Sequence, residues 1–283
     1  MRKIALTTFI TLLLGSFIQA QDSGKVKSSV FDQTQPSSRN SSVSTYTLTV
    51  FDEPYTDLIN PITVNNNEPW DDPEYTIPVT IPFQLNGHTV SSLQFGGFGF
   101  LLKAPTGDPD VSTVVFPFET DLIDRGVLAD TSLSPISYVV EGDPGSRIMK
   151  IEMNNAGSYD EFASGSQDMY INIQLWLYEG SNQVEFRFGD NSIPDPELFY
   201  YGGTFMGITD IDENTGDLSN ANFFSGDISA PVLTTSDVTI EGTPEVGTVY
   251  QLSPGSSLNV TVTGINSTSF CITRYHCFSP AQS

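Results

Sequence analysis

Cysteine, histidine and basic residues are scarce in this chain of 283 residues, which has two cysteines, two histidines and eleven lysines or arginines. So few thiol and imidazole groups exclude a zinc site and a cysteine–histidine catalytic pair. The basic residues stand against 34 acidic ones, for a net charge of −23 at pH 7. Because such a chain repels nucleic acids and anionic lipid headgroups, we exclude both as partners.

Long apolar stretches are also missing, except at the N-terminus. There Arg2 and Lys3 precede an apolar run from Ile4 to Ile18, and Ala20 offers a small residue for cleavage. This order is typical of a secretory signal peptide over residues 1–20, and a buried N-terminal helix is the alternative. No other stretch is long and apolar enough for a membrane span. The pattern predicts a protein that is secreted or held at the cell surface.

A helical period is absent as well, since no window of a dozen residues repeats its apolar side chains every 3.6 positions. Short β-branched and aromatic runs, cut by Gly, Pro, Asn and Asp, fill residues 45–255 instead. They predict an all-β domain, a single antiparallel β-sandwich of the jelly-roll or lectin-like kind. Pro78 and Pro82 place their segment at a sheet edge, because proline cannot donate to a central ladder.

Polar segments flank this domain on both sides. Residues 21–44, rich in Ser, Gln, Asp and Lys, read as a flexible leader, and residues 256–283 form a polar tail. Both cysteines, Cys271 and Cys277, lie in that tail. In an exported chain they are able to pair with each other, but they cannot staple the main domain.

The stretch 168–192 is typical of a β-hairpin, with two alternating runs around a polar, Gly-containing turn. One face is apolar and predicts a buried, central position. The other face mixes aromatic rings, amides and charges, which are the groups that bind sugars. The candidate ligand-binding residues there are Asn172, Gln174, Trp176, Tyr178 and Arg187, with Glu185 beside them. The alternative is an ordinary solvated sheet face, stabilised by its own cross-strand pairs.

Calcium is the cofactor that the sequence best supports. In residues 207–220, the oxygen-bearing side chains of Asp210, Asp212, Asn214 and Asp217 are close enough in sequence to converge on a hard cation. The loop departs from an EF-hand, because Thr215 replaces the required glycine. An acidic turn without a metal is the alternative.

A second acidic run is a weaker candidate for the same ion. It comprises Glu68, Asp71, Asp72 and Glu74. Carboxylate pairs suited to glycoside hydrolysis are not identifiable among 34 acids, because such abundance guarantees chance pairs.

Four motifs in the same order resemble a β-sandwich module of bacterial type IX-secreted surface proteins. The first comprises Ile81-Pro82-Phe83, Asn86-Gly87 and Gly97-Phe98-Gly99-Phe100. The second is carried by Arg147, Ile151, Glu152 and Asn154, with Met153 where tryptophan is usual. The third comprises Leu177-Tyr178-Glu179-Gly180, Asn182, Glu185-Phe186 and Gly189, and the fourth Gly242, Pro244, Gly247-Thr248-Val249-Tyr250 and Pro254.

This resemblance implies an exported sandwich over about 45–255 and no particular activity. Members of that group usually continue into a sorting domain, which begins near a Pro-Asn-Pro motif. Here the tail lacks that motif, so we expect a truncated sorting region, with a genuine short tail as the alternative.

The sequence thus predicts an exported, non-catalytic β-sandwich that serves as an adhesion or ligand-binding module. The expected partners are an extracellular glycan or a surface protein. The alternative is a secreted carbohydrate-active enzyme.

Overall fold

The computed structural model describes residues 46–96 and 99–255, together with the backbone of 270–272 and 276–278. The predictions for the signal peptide (1–20), the leader (21–44) and most of the tail (256–283) lie outside the described residues.

The described chain is built almost entirely from antiparallel strands, and the predicted all-β sandwich is confirmed. In chain order the strands are β1 (Tyr46–Asp52), β2 (Ile62–Thr63), β3 (Thr76–Pro78), β4 (Gln84–Leu85), β5 (His88–Thr89), β6 (Ser92–Phe95), β7 (Phe100–Pro105), β8 (Val111–Glu119), β9 (Leu122–Ile123), β10 (Ile136–Glu141), β11 (Ile148–Ser158), β12 (Tyr170–Tyr178), β13 (Val184–Ser192), β14 (Gly203–Asp212), β15 (Leu218–Ser225), β16 (Val232–Thr234), β17 (Ile240–Glu241), β18 (Thr248–Pro254), β19 (Phe270–Ile272) and β20 (His276–Phe278).

Two sheets of eight strands hold most of these elements. The first has the order β1-β18-β13-β12-β11-β10-β2, with β9 paired to β11. The second has the order β16-β15-β14-β8-β7-β6-β3, with β17 paired to β14. The pairs β4-β5 and β19-β20 form separate hairpins, and the second places Cys271 opposite Cys277.

The core lies between the two sheets, and the β12–β13 hairpin is central to it. Its apolar face is buried as predicted, including Ile173, Leu175, Phe186 and Phe188. Phe188 meets Phe118 of the second sheet edge-on, with ring centroids 6.0 Å apart. Phe186 lies 5.7 Å from the ring of Phe224 of that sheet. These aromatic contacts join the sheets.

Within the described residues, the strand orders end at four edge strands, β1, β2, β3 and β16. The predicted edge position near Pro78 is confirmed, because β3 ends at that proline and is the last strand of its sheet. The chain then leaves the sheet and forms the β4–β5 hairpin.

In the part of the chain that the structure describes, two short helices interrupt the strands, α1 (Tyr159–Ser164) and α2 (Pro196–Tyr200). Ser158 caps the start of α1 and accepts a hydrogen bond from the Glu161 backbone N–H, while Gly165 ends it at φ +94°. Helices of six and five residues are too short to show a helical period in sequence.

Candidate functional site

The candidate ligand-binding side chains share one face of the first sheet, but much of that face is covered. Gln174 and Arg187 are buried. Tyr55, from the segment after β1, lies over the face and donates its hydroxyl to Glu152 Oε1 at 3.1 Å. Arg187 pairs with Glu185 at 2.7 Å and with Glu53 at 2.6 Å. The charged groups of Glu185 and Glu53 therefore each form an ion pair with that of Arg187.

The indole of Trp176 is enclosed in the same way. Lys150 of β11 lies 4.0 Å from the ring centroid and Arg187 of β13 lies 3.9 Å from it. Because β11 and β13 flank β12 on opposite sides, the two cations approach from opposite directions. Sugar stacking would have to displace one of them.

The remaining two candidates also have protein partners. Asn172 donates to the Asp190 carbonyl oxygen at 2.9 Å. Burial, together with a hydrogen bond to Glu185, raises the pKa of the Tyr178 phenol. The structure thus gathers all five predicted residues on one face and gives each an internal contact. Sugar binding by this face stays a prediction.

The predicted calcium ligands are not gathered in this way. Asp210 is buried, where its carboxylate accepts hydrogen bonds from Thr113 at 2.6 Å, Asn220 at 2.7 Å and Asn86 at 3.1 Å. Asp212 instead accepts the backbone N–H groups of residues 214 and 215, which closes the β14–β15 turn.

The other two predicted ligands, Asn214 and Asp217, are exposed. Asp210 and Asp212 thus hold structural hydrogen bonds, and calcium binding by this loop stays a prediction.

Carboxylates do converge elsewhere. In the described part of the chain, the acidic group whose ligand atoms lie within 4.8 Å of one another is Asp71, Asp72 and Asp121, which we call the carboxylate cluster. Asp71 and Asp72 come from the weaker sequence candidate, and Asp121 follows β8, about fifty residues later. Glu68 and Glu74 of that candidate are not members.

Burial, together with the proximity of these acids, raises their pKa values. Burial, followed by the charges of Asp72, Asp160 and Asp71, raises the pKa of Asp121 to about 7. Burial and the charge of Asp121 raise the pKa of Glu119 to about 7. Such a group can share a proton or hold a hard cation, and either relieves the repulsion.

Two bonded loops position the cluster. The Asp124 backbone N–H donates to the Trp70 carbonyl oxygen at 2.9 Å, and Asp71 forms a β-bridge with Ile123. The buried indole N–H of Trp70 donates to the Ser134 carbonyl oxygen at 2.6 Å. Segments 59–72 and 121–134 therefore form one unit, which we call the paired-loop surface.

Buried polar side chains hold this unit in one conformation. Asn65 donates to the Glu68 carbonyl oxygen at 2.7 Å and to Ser132 Oγ at 2.9 Å. The fully buried Asp124 accepts the backbone N–H groups of Gly126 at 2.6 Å and Leu133 at 2.9 Å. These bonds satisfy backbone groups that a loop otherwise leaves to water.

Exposed aliphatic side chains cover the outside of this unit. Leu128 is 77% exposed, and Ile59, Ile62 and Leu133 are each more than half exposed. Large apolar groups on an ordered surface are typical of sites that contact another molecule. In the sequence only the Asp71-Asp72 doublet indicated this surface, because nothing local shows that residues 121–134 lie beside 59–72.

The comparisons with known proteins identify a family. A family model described as NIDO related matches residues 45–254. Neither curated proteins nor solved structures give a match. No helix in the described ranges has the length and hydropathy to cross a membrane. NIDO-related domains are β-rich modules typical of extracellular proteins. Since the match spans most of the sequence, the chain belongs to the NIDO-related family.

Proposed function

We propose that this protein is an exported, non-catalytic adhesion or ligand-binding module, acting at the cell surface or in the medium. The paired-loop surface is the part that contacts the partner, an extracellular glycan or a surface protein. The observation that carries the proposal is the exposure of large aliphatic side chains on loops held by buried polar bonds. A preformed apolar surface of this kind loses little entropy on binding.

Calcium is part of this proposal as a stabilising ion. The carboxylate cluster and the 207–220 loop are the two places where it would bind. In the cluster, the ion would neutralise acids that otherwise repel each other, whereas Asp210 already has three hydrogen-bond donors. Extracellular calcium sites commonly bind in the range of about 10⁻⁴–10⁻³ M.

Melting curves in calcium and in EDTA test the ion. At a calcium concentration a hundredfold above Kd, binding to the folded state adds about 2.7 kcal/mol to the unfolding free energy. We expect Asp71→Asn to remove this gain and Asp212→Ala to keep it. The reverse pattern would assign calcium to the 207–220 loop, and identical curves in calcium and EDTA would refute calcium binding.

Adhesion is tested with protein-coated beads on a printed glycan array and on the producing cells. We expect Leu128→Asp to reduce bead retention at least tenfold, because a charge then replaces an exposed apolar contact. Val246→Asp is the matched control, since Val246 is also exposed but lies outside the paired-loop surface. Equal retention of wild type and Leu128→Asp would contradict the proposed surface.

A secreted carbohydrate-active enzyme is the second candidate. The observation that favours it is the pKa of about 7 at both Asp121 and Glu119, since an acid that stays protonated near neutral pH can serve as a general acid. The test is the release of reducing sugar from polysaccharides. Release by the wild type that is lost in Asp121→Asn would support the enzyme against the binding module.

Export through the type IX route is proposed on the resemblance of the four motifs alone. The exported chain is then expected to begin near Gln21, after Ala20. N-terminal sequencing of material from the medium or the cell surface would test this, and a protein that still begins at Met1 would contradict cleavage.

A further inference from the structure

The four edge strands of the sandwich differ in how well they are protected. β2 has two residues and follows Pro61, β3 ends at Pro78, and the three-residue β16 follows Pro231. Short strands and prolines are the usual means by which proteins prevent edge-to-edge pairing. β1, in contrast, has seven residues without proline, lysine or arginine.

The direction of the backbone groups of β1 follows from two hydrogen bonds. The Glu53 N–H donates to the Gly247 carbonyl oxygen at 2.9 Å. The backbone N–H and C=O groups of the odd-numbered residues therefore point toward the neighbouring β18. The Tyr46 N–H donates away from β18, to Asn222 Oδ1 at 3.3 Å. Because these groups alternate along a strand, Leu48, Val50 and Asp52 point their N–H and C=O groups outward.

The side chains along this edge are partly accessible. Leu48 and Val50 pack against the core yet remain half-buried, and Thr47 and Thr49 are exposed on the opposite face. In the described part of the chain, the outward backbone groups of Leu48 and Val50 have no hydrogen-bond partner. β1 therefore offers a strand with unused ladder positions.

We propose that β1 pairs antiparallel with β1 of a second copy of this chain, which joins two first sheets into one continuous sheet. A two-fold axis at Thr49 places Leu48 opposite Val50 of the other copy and Thr49 opposite itself. The outward groups of Leu48 and Val50 then exchange hydrogen bonds in each of the two equivalent pairs. A self-complementary contact of this kind closes a dimer and leaves no further edge of its type.

The residues of β1 suit this register. Thr–Thr and aliphatic pairs across strands are favourable. Asp52, the one charged residue of the strand, lies opposite Tyr46 of the other copy and not opposite its own equivalent. The strand thereby avoids a like-charge pair in a chain whose net charge is −23.

Disulfide trapping tests the register. In a chain whose native cysteines are replaced (Cys271→Ser/Cys277→Ser), Thr49→Cys should form a cross-linked dimer under mild oxidation. Thr49 faces its equivalent at a non-hydrogen-bonded position, where Cα atoms are about 4.5 Å apart. Thr47→Cys is the matched control, because Thr47 lies on the same exposed face but far from its equivalent in this register. Equal trapping at both positions, or trapping at neither, would overturn the proposal.

Sedimentation velocity tests the dimer without a cross-link. Val50→Pro removes an outward N–H and no bond to β18, so it should raise the dimer dissociation constant at least tenfold while the chain stays folded. Salt should strengthen the wild-type dimer, because it screens the repulsion between two acidic copies. A wild type that remains monomeric, or a dimer that Val50→Pro leaves intact, would overturn the pairing. If Val50→Pro does not fold, the cysteine variants decide.

Discussion

The carboxylate cluster predicts an unusual dependence of stability on pH. The pKa of Asp121 rises from its ordinary value of 3.8 to about 7 in the folded chain, mainly through burial. Between these values the unfolded chain has lost this proton and the folded chain keeps it. The unfolding free energy therefore falls as the pH rises from about 4 to 7, and the whole penalty is present above pH 7.

The size of the effect follows from the pKa difference. About three pKa units at about 1.4 kcal/mol each give an upper bound of about 4 kcal/mol. Since Asp121 is partly exposed, solvent screening reduces this, and we expect about 1–3 kcal/mol. The contribution of Glu119 is not added, because its pKa is raised in part by Asp121 itself.

Urea denaturation of the wild type and Asp121→Asn at pH 5 and pH 8 measures this cost. The asparagine variant should be more stable than the wild type at pH 8, and the gain should shrink toward pH 4. Asp227→Asn is a control of opposite sign, because hydrogen bonds from Ser229 lower the pKa of Asp227. Removing the Asp227 carboxylate should therefore destabilise the chain at pH 8. A wild type that becomes more stable between pH 5 and 8, or an Asp121→Asn variant with an unchanged pH slope, would refute the reasoning.

Three further predictions concern the two sheets. Phe186→Ala should lower the unfolding free energy by about 3–5 kcal/mol in urea denaturation, because a fully buried ring is removed. A decrease of less than about 1 kcal/mol would contradict the place of Phe186 in the core. Gly207→Ala should lower the melting temperature or prevent folding. Gly207 has φ +145°, and an added Cβ would lie 2.3 Å from the Asn222 carbonyl oxygen. Gly107→Ala is the control, because a Cβ added there has no other atom within 4 Å. Arg187→Ala should lower the unfolding free energy by about 3–5 kcal/mol, because it leaves the buried Glu185 without its cationic partner. The additional Glu185→Gln substitution should recover part of that loss.

Local sequence patterns predict the parts of the fold that neighbouring residues determine. The alternation of Ile171, Ile173, Leu175 and Leu177 predicts the buried face of β12, and all four side chains are buried. Pro78 likewise marks an edge strand. In contrast, the loop expected at 207–220 is shorter in the structure, because β14 continues to Asp212 and β15 begins at Leu218. The Ser, Asn and Ala residues of β15 have weak strand preference.

The polar groups were harder to place because their partners are distant in sequence. Glu185 and Arg187 read as members of a wet face, yet both are buried, and Arg187 pairs with Glu53 from far upstream. Asp121 could not be grouped with Asp71, because only the bonding of two loops brings them together. Local patterns cannot reveal contacts of this kind.

The positions of the two tryptophans have a practical consequence. Trp70 is buried beside Asp71 in the paired-loop surface, whereas Trp176 lies between two cations on the far side of the first sheet. Intrinsic fluorescence therefore carries two spatially separate signals in one unlabelled chain. Replacing Trp176 with phenylalanine would leave Trp70 as the single tryptophan, so that a change at the carboxylate cluster could be followed by tryptophan emission without an attached dye.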